Sequence, residues 1–368
     1  MSGTSLDAVD AALMDFSDDT PTLIATHQHE IPNTLRDAIV ELCAPGENAI
    51  QRMGETDNKL GHLFSDSVLS LLEKAKYNAS DIAAIGSHGQ TIRHIPNSET
   101  PFTLQIGDPN IIAATTNITT VADFRRRDMA LGGQAAPLAP AFHDYLFRNR
   151  QTDTAVLNIG GIANITLLPE DAHQKIIGFD TGPGNTLLDA WCLKQTGKPF
   201  DHNGEWALSG NCNHELLQQL FADPYFKKAA PKSTGREYFH LDWLAKHLTP
   251  TTKAEDVQAT LLELTAKSIA DALASQTLKT ECLYLCGGGA QNNALIERLK
   301  NLTQINITTT ETVGIHPDWI EAAAFAWLAR QTLSNKPGNI PSVTGASKAS
   351  VLGAIYVSVQ KPGADPSL

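Results

Sequence analysis

Glycine-rich turns lie at the ends of short apolar strands at three places in this 368-residue chain. They lie at Gly3, at Gly160 and Gly161, and at Gly287 to Gly289. Glycine accepts positive φ and lets backbone N–H groups approach a phosphate, although a single such turn is most often a plain hairpin or strand-to-helix turn. Two of these three turns begin similar halves of the chain. The repeat therefore favours a nucleotide cleft between two related domains.

Short strand-like segments alternate with helix-like segments throughout, which predicts an α/β fold. Strands are predicted at residues 9–16, 82–86, 104–108, 120–124, 154–159, 163–168, 176–180 and 281–286. Helical spacing of apolar residues is found at 34–75, 187–194, 254–275, 292–299 and 319–333. The pair at 154–168 encloses Gly160 and Gly161 and has the pattern of a hairpin.

Composition and charge exclude several classes of protein. The net charge is −12, and the longest run of cations is Arg125 to Arg127, which argues against unaided binding to nucleic acid or to an anionic membrane. An anionic ligand would therefore be held in a local pocket. The sequence has neither a membrane-length apolar run nor a signal peptide, and its five scattered cysteines suit a reducing compartment, so a cytoplasmic protein is expected.

Asp180 and His88 are polar residues at predicted strand ends. Asp180 lies where an apolar strand is predicted to stop before Thr-Gly-Pro-Gly, and α/β folds place ligands at such ends. Its carboxylate can take a proton from a hydroxyl group or water, or it can simply cap the turn. His88 can bind substrate or be a satisfied strand-end histidine.

Arg125 and Glu321 are further candidates for ligand contacts. Arg125 directly follows a strand and can clamp a carboxylate or phosphate, whereas Arg126 and Arg127 are more typical of a solvated face. Glu321 opens a helix, where an acidic residue is expected from the helix dipole alone but can also meet a ligand. None of the glycine turns has the spacing of a P-loop or of a dinucleotide fingerprint.

Ten ordered motifs across nearly the whole chain resemble those of the anhydro-N-acetylmuramic acid kinase family. They are Met-Ser-Gly-Thr-Ser-Leu-Asp (1–7), Gly-Ser-His-Gly-Gln-Thr (86–91), Leu-Gln-Ile-Gly-Asp-Pro (104–109), Val-Ala-Asp-Phe-Arg-Arg-Arg-Asp (121–128), Gly-Gly-Gln-Ala-Ala-Pro-Leu (132–138), Leu-Asn-Ile-Gly-Gly-Ile-Ala-Asn (157–164), Phe-Asp-Thr-Gly-Pro-Gly-Asn (179–185), Lys-Ser-Thr-Gly-Arg-Glu (232–237), Cys-Gly-Gly-Gly-Ala-Gln-Asn (286–292) and Pro-Asp-Trp-Ile-Glu-Ala (317–322).

The resemblance implies an α/β fold of two related actin-like (ribonuclease H-like) domains that close over ATP. The expected domains are residues 1–125 plus 341–368, and residues 126–340 with the adenosine-side turn. The implied reaction is phosphorylation of 1,6-anhydro-N-acetylmuramic acid at O6 with hydrolytic opening of the ring, in recycling of cell-wall peptidoglycan. ATP and Mg²⁺ are the implied cofactors. The sequence is compatible with a homodimer as well as with a monomer.

The resemblance also implies roles for individual residues. Asp180 falls at the position of the family's catalytic base, and Arg125 and Glu321 resemble its sugar-contacting residues, with His88 as a further substrate contact. The second phosphate turn would be Gly160 and Gly161, and the adenosine-side turn Gly287, Gly288 and Gly289. The first phosphate turn would comprise Gly3, Thr4, Ser5, Leu6, Asp7, Ala8, Val9 and Asp10.

The sequence departs from the family pattern at its start. Ala8 replaces the glycine usual after Leu-Asp, and the strand that normally precedes Met-Ser-Gly-Thr is absent. A phosphate-binding hairpin needs a strand on each side of its turn. We therefore expect the natural polypeptide to begin about eight residues upstream, by analogy with the family and with common strand lengths.

Two alternatives remain open from the sequence. One is a kinase of the same superfamily that acts on another hexose or on a carboxylic acid. The other is an ATP-binding actin-like or chaperone-like module that transfers no phosphoryl group to a small molecule. Asp180, Arg125 and His88 favour an enzyme, because a clamp or filament has no need of a base and a carboxylate-binding cation.

Overall fold

A computed structural model describes residues 1–358 except Thr4, Ser5, Asp19, Asn149 and Pro250. The chain divides into two compact units. Unit 1 comprises residues 1–142 and the chain from Glu321 onward, and unit 2 comprises His143–Ile320. The domain boundaries given above, at 125/126 and 340/341, stay a prediction from the sequence.

Short strands and helices of mixed length alternate in the described residues. The strands are β1 Ala8–Asp15, β2 Thr22–Glu30, β3 Ile85–Gly86, β4 Gln90–Ile95, β5 Phe102–Ile106, β6 Thr120–Ala122, β7 Thr154–Ile159, β8 Ile162–Leu168, β9 Ile177–Pro183, β10 Cys282–Cys286, β11 Asn306–Thr309 and β12 Ala354–Tyr356. The helices are α1 Asn33–Leu42, α2 Ala49–Ala75, α3 Pro109–Thr116, α4 Arg126–Ala130, α5 Ala139–Leu146, α6 Thr186–Thr196, α7 Glu205–Ser209, α8 His214–Phe221, α9 Leu241–Ala245, α10 Ala254–Ala274, α11 Asn293–Thr303, α12 Ile320–Leu333 and α13 Pro341–Thr344. This alternation is the α/β pattern that the sequence predicts.

The described residues of unit 1 form three small sheets. Strands β1 and β2 form an antiparallel pair, β4 and β5 form another, and β6 lies between β3 and β12. Apolar residues of α1, α2 and α3, among them Ile39, Leu60 and Ile112, are fully buried in one core. The predicted helical stretch over 34–75 is two helices, because Pro45 and Gly46 separate α1 from α2.

Unit 2 is built around one five-stranded sheet in the order β11-β10-β7-β8-β9. Strand β10 is parallel to β7 and β11, while β7, β8 and β9 form an antiparallel meander. The predicted hairpin at 154–168 is confirmed, with Ile159 opposite Ala163. Because Cys286 pairs with Asn158, the turns that follow β10 and β7 leave the same edge of the sheet.

The predicted end of the strand at 176–180 is wrong. Strand β9 does not stop at Asp180 but continues to Pro183, because Ala163 and Ile162 of β8 supply pairing partners for Gly182 and Pro183. Asp180 is polar, but backbone pairing depends on the neighbouring strand and extends past it. The strand predicted at 82–86 does end at Gly86, as β3 does, and β4 begins at Gln90 and pairs with β5.

Within the described residues, no helix combines the length and the apolar character needed to cross a membrane.

Two glycines of unit 1 give a matched test of the packing. A Cβ at Gly86 in β3 would lie 2.6 Å from the carbonyl carbon of Phe325 in α12, whereas a Cβ at exposed Gly54 inside α2 meets nothing within 4 Å. We expect Gly86→Ala to destabilise unit 1 by about 1–3 kcal/mol, through backbone displacement. Gly54→Ala should stabilise it by about 1 kcal/mol, because alanine favours a helix interior. Urea unfolding measures both, and equal effects of the same sign would contradict this packing.

Candidate functional site

The Gly160–Gly161 turn of unit 2 is tied to the start of α6 through its carbonyl oxygens. The Gly160 carbonyl accepts the N–H of Asn185 at 2.8 Å, and the Gly161 carbonyl accepts those of Gly184 and Thr186 at 2.9 and 3.0 Å. In a trans peptide the N–H points away from the C=O of the same unit. The N–H groups of Gly161 and Ile162 therefore face away from the start of α6.

The Gly287–Gly289 turn lies against the end of β7, so the structure brings together two turns that are distant in sequence. Gly287 has φ +77° and donates its N–H to the Pro317 carbonyl at 3.1 Å. A Cβ at Gly289 would lie 2.6 Å from the Cβ of Ile159. A side chain at Gly289 would therefore push the two turns apart.

Asp180 lies inside β9, opposite Asn164 of β8, and its surroundings hold it in place. Its Oδ2 accepts the N–H of Thr234 at 2.9 Å, its carbonyl accepts the hydroxyl of Tyr225 at 2.7 Å, and its N–H donates to the Lys232 carbonyl at 2.9 Å. One carboxylate oxygen is therefore fixed by a backbone donor, and Oδ1 is the atom left to take a proton.

Burial raises the pKa of Asp180 to about 6, against the lowering effect of the Thr234 N–H group, and nearby Glu237 raises it further. A carboxyl group with this pKa is mostly ionised at neutral pH yet more basic than an ordinary aspartate. Those are the properties of a general base. Of the two interpretations of Asp180 from the sequence, a proton acceptor or a cap of the turn, this pKa favours the proton acceptor.

The loop at 232–237 also reaches the glycine turn, and sequence reasoning missed its contribution. Arg236 is exposed, and its guanidinium lies directly against Gly161, with Nη2 2.7 Å from the position that a Cβ would take there. The available signal was the Lys-Ser-Thr-Gly-Arg-Glu motif, which carries an arginine two residues after Thr234.

In unit 1, Arg125 and His88 are in direct contact. Arg125 Nε donates to His88 Nε2 at 3.1 Å, and Arg125 Nη1 donates to the Ala135 carbonyl at 2.5 Å. Because Nε2 accepts a hydrogen bond, the imidazole is neutral with its proton on Nδ1. Burial lowers the pKa of His88 well below its ordinary value, and the Arg125 cation lowers it further.

Arg125 remains a cation at neutral pH although burial lowers its pKa to about 10, because Glu321 and Asp128 oppose that shift. Buried Asp128 also fixes the segment that holds Arg125. Its Oδ2 accepts the N–H of Ala135 at 2.8 Å, and its Oδ1 accepts Asn339 Nδ2 at 2.7 Å. Asp128 was not a candidate from the sequence, because its partners lie far along the chain.

Glu321 is the second residue of α12, consistent with its predicted place at a helix start. Solvent reaches its side chain, yet protein atoms surround the carboxyl group densely enough to raise its pKa, with Arg125 opposing and Asp10 adding. Arg125, Glu321 and Asp10 thus act electrostatically on one another.

The proposed first turn is described in part. Thr4 and Ser5 lie outside the described residues. Gly3 and Asp7 flank buried Leu6, which has φ +58°, and the strand that follows includes Ala8, Val9 and Asp10. The Val9 side chain is buried in the core, so only its backbone is available to a ligand.

Arg126 and Arg127 are both exposed, as the solvated-face interpretation expects. Arg126 forms an ion pair with Asp123 at 2.7 Å.

Residues 1–358 match the family model described as anhydro-N-acetylmuramic acid kinase. A relative of that name from Coxiella burnetii (strain RSA 493 / Nine Mile phase I) is 59% identical over 358 residues, which cover 97% of this chain and 96% of the relative. Another from Pasteurella multocida (strain Pm70) is 54% identical over 363 residues, which cover 97% and 95%. These matches identify the chain as a sugar kinase. In particular, it belongs to the anhydro-N-acetylmuramic acid kinase family.

Solved structures resemble the chain more distantly. The ADPNP-bound activator of 2-hydroxyisocaproyl-CoA dehydratase from Clostridium difficile has a TM-score of 0.42 at 11% identity and covers 89% of this chain and 98% of its own. A ligand-bound xylulose kinase from Lactobacillus acidophilus has a TM-score of 0.33 at 17% identity and covers 60% and 45%.

The strands and helices of the described residues confirm the predicted α/β fold class. The family match bears on the activity. It decides against the two alternatives that the sequence left open, which are a kinase for another substrate and a non-enzymatic ATP-binding module.

The pKa of Asp180 is directly testable. In carbon NMR of protein labelled at the aspartate carboxyl carbons, we expect Asp180 to titrate with a midpoint near pH 6. Glu237→Gln should lower that midpoint, because the Glu237 charge raises the pKa of Asp180. Glu170→Gln, at an exposed and unrelated carboxylate, is the control and should leave it unchanged. A wild-type midpoint near 4 would show that burial does not govern this group.

Proposed function

We propose that this protein uses ATP to phosphorylate 1,6-anhydro-N-acetylmuramic acid at O6 while water opens the anhydro ring. The products are N-acetylmuramic acid 6-phosphate and ADP, and the role is recovery of cell-wall sugar. The observation that carries the proposal is Asp180, a held carboxylate whose pKa is about 6, in a chain of this family. Water attack on an acetal carbon requires such a base.

The proposed chemistry follows from one proton transfer. Asp180 takes a proton from water as the water oxygen bonds to C1 of the sugar. The C1–O6 bond breaks, and O6 takes the γ-phosphoryl group of ATP as ADP leaves. The Thr234 N–H holds the carboxylate oriented by one oxygen, so the other can accept the proton without a change of rotamer.

Unit 1 supplies the sugar contacts in this proposal. The substrate carries a lactyl carboxylate, for which a guanidinium is the matching donor. His88 and the Ala135 carbonyl engage Nε and Nη1 of Arg125, so Nη2 is the group presented to the ligand. The neutral His88 ring, packed on Phe325 with centroids 4.6 Å apart, keeps the guanidinium from rotating. Glu321 accepts hydrogen bonds from sugar hydroxyl or amide groups.

The glycine turns are assigned to ATP. The N–H groups of Gly161 and Ile162 bind phosphate oxygens, Gly3 to Asp10 form the other phosphate turn, and Gly287 to Gly289 approach the adenosine. Glycine is required where the turn and its neighbours come within contact distance, as Gly289 does with Ile159.

The described residues contain no group of three or more His, Cys, Asp or Glu that could hold a metal ion. Mg²⁺ that arrives on ATP takes phosphate oxygens, waters and one or two carboxylates. Asp10, a carboxylate of the proposed first phosphate turn, would be one of them. When bound, Mg²⁺ neutralises charge on the transferred phosphoryl group.

A cytoplasmic location and a homodimer belong to the same proposal. A cytoplasmic location suits an enzyme that consumes ATP, and sedimentation velocity of the purified protein distinguishes a homodimer from a monomer.

Asp180→Asn tests the base. We expect kcat to fall by about 10²–10⁴ while ATP affinity stays within threefold, because the amide keeps the shape but cannot take a proton. In the wild type, kcat/KM should fall about tenfold per pH unit below pH 6, since protonation of a carboxyl with a raised pKa removes the base. Release of ADP measures both. Asp171→Asn, at an exposed carboxylate, is the control, and near-normal turnover of Asp180→Asn would reject this role.

Arg125→Ala tests the sugar contact. We expect the KM for the anhydro sugar to rise about 10- to 100-fold and the KM for ATP to change little, since a charge-assisted pair to a carboxylate is lost. Arg127→Ala removes one exposed charge nearby and should change neither constant. Steady-state kinetics with each substrate varied gives the comparison. An equal rise in both constants would reassign Arg125 to phosphate.

A further inference from the structure

We propose that Arg236 binds the γ-phosphoryl group of ATP at the Gly160–Gly161 turn and neutralises its charge during transfer. This inference rests on the proposed function, in which that turn holds ATP phosphates. It gives a role in the reaction to a residue that is not among the base, sugar-contacting and ATP-binding residues named above.

The first observation is the contact between Arg236 and the turn. The guanidinium fills the space that a side chain at residue 161 would need, with Nη2 2.7 Å and Cζ 2.9 Å from an ideal Cβ of Gly161. Only glycine at 161 allows the cation to lie against the backbone there. Arg236 is exposed, so solvent reaches its side chain.

The second observation is the polarity of the turn itself. The carbonyls of Gly160 and Gly161 point towards residues 184–186, which bind them, so the N–H groups of Gly161 and Ile162 point away. Two backbone N–H groups and one guanidinium thus belong to a single short turn. Backbone nests of this kind, joined by an arginine fork, are a donor set that binds phosphate.

The third observation is that one loop serves both the base and the turn. Thr234 donates its N–H to Asp180, and Arg236 contacts Gly161 two residues later. The Thr234 Oγ1 is buried and makes no hydrogen bond with the described residues. Because this loop holds both Asp180 and Arg236, it sets the distance between the proton acceptor and the phosphoryl group that Arg236 binds.

The charge balance of unit 2 gives the physical need for this cation. Asp180 and Glu237 both repel ATP phosphates, and the chain as a whole carries −12. In phosphoryl transfer the charge lies on the equatorial oxygens of the moving group, where a guanidinium acts most strongly. Arg236 is the cation that contacts the turn directly.

The experiment compares Arg236→Ala and Arg236→Lys with the wild type, and uses Lys227→Ala as the control. Lys227 is another exposed cation of unit 2, so its removal changes the net charge equally. Calorimetry measures affinity for ADP and for a β,γ-imido analogue of ATP, which carries the γ-phosphoryl group but does not transfer it. ADP release with the anhydro sugar gives kcat.

We expect Arg236→Ala to lower the affinity for the imido analogue about 10- to 100-fold and the affinity for ADP less than threefold, because only the analogue has the terminal phosphoryl group. We expect kcat to fall about 10²- to 10³-fold and to recover in part with added guanidinium ion. Arg236→Lys should keep much of the affinity but little of the rate, since an ammonium lacks the planar fork. Lys227→Ala should behave like the wild type.

The inference would be overturned if Arg236→Ala lowered the affinity for both nucleotides equally, or lowered neither. Its failure is distinguishable from failure of the proposed function. A wild type that does not turn over the anhydro sugar contradicts the proposed function, whereas a selective loss of the imido analogue still supports Arg236 as a γ-phosphoryl ligand. Circular dichroism separates misfolding from lost contacts, and the exposed position of Arg236 makes a folded variant the expectation.

Discussion

The hydrogen bonds from Gly184, Asn185 and Thr186 to the carbonyls of Gly160 and Gly161 are the constraint on which the site of unit 2 depends. They fasten the hairpin turn of β7 and β8 to the start of α6, and so fix the direction of every other group in the turn. With the carbonyls engaged, the N–H groups can face an anion. The contact of Arg236 with Gly161 and the close passage of Gly289 along Ile159 both require this rigid backbone.

Charged groups in both units stay ionised at neutral pH because nearby donors and charges offset their burial. Asp180 loses hydration, which raises its pKa to about 6, but the Thr234 N–H retains enough stabilisation for the carboxylate form to dominate at neutral pH. Arg125 loses hydration too, and Glu321 and Asp128 keep its pKa at about 10. In each case partial desolvation makes the group more responsive to a ligand than it would be in water.

The supports of these groups explain why several of them escape sequence reasoning. Asp128 holds Ala135 locally, but its partners Asn339 and Thr344 come from the far end of the chain. Tyr225 and Thr234 reach Asp180 from a segment whose available signal was the family motif at 232–237, which does not show the contact with Asp180. Such contacts depend on how loops fold back, which local propensity does not encode.

The sequence by itself determined the elements whose signal is local. Alternating apolar residues around Gly160 and Gly161 defined the β7–β8 hairpin, helical spacing defined α10, and the ordered motifs defined the family. Tertiary structure alone decided the extent of β9 beyond Asp180, because the partners of Gly182 and Pro183 lie on another strand. It also decided the pKa of Asp180 and the place of Arg236 against Gly161. Burial and side-chain contact are sums over neighbours that come from distant parts of the chain, so they exist only once the chain has folded.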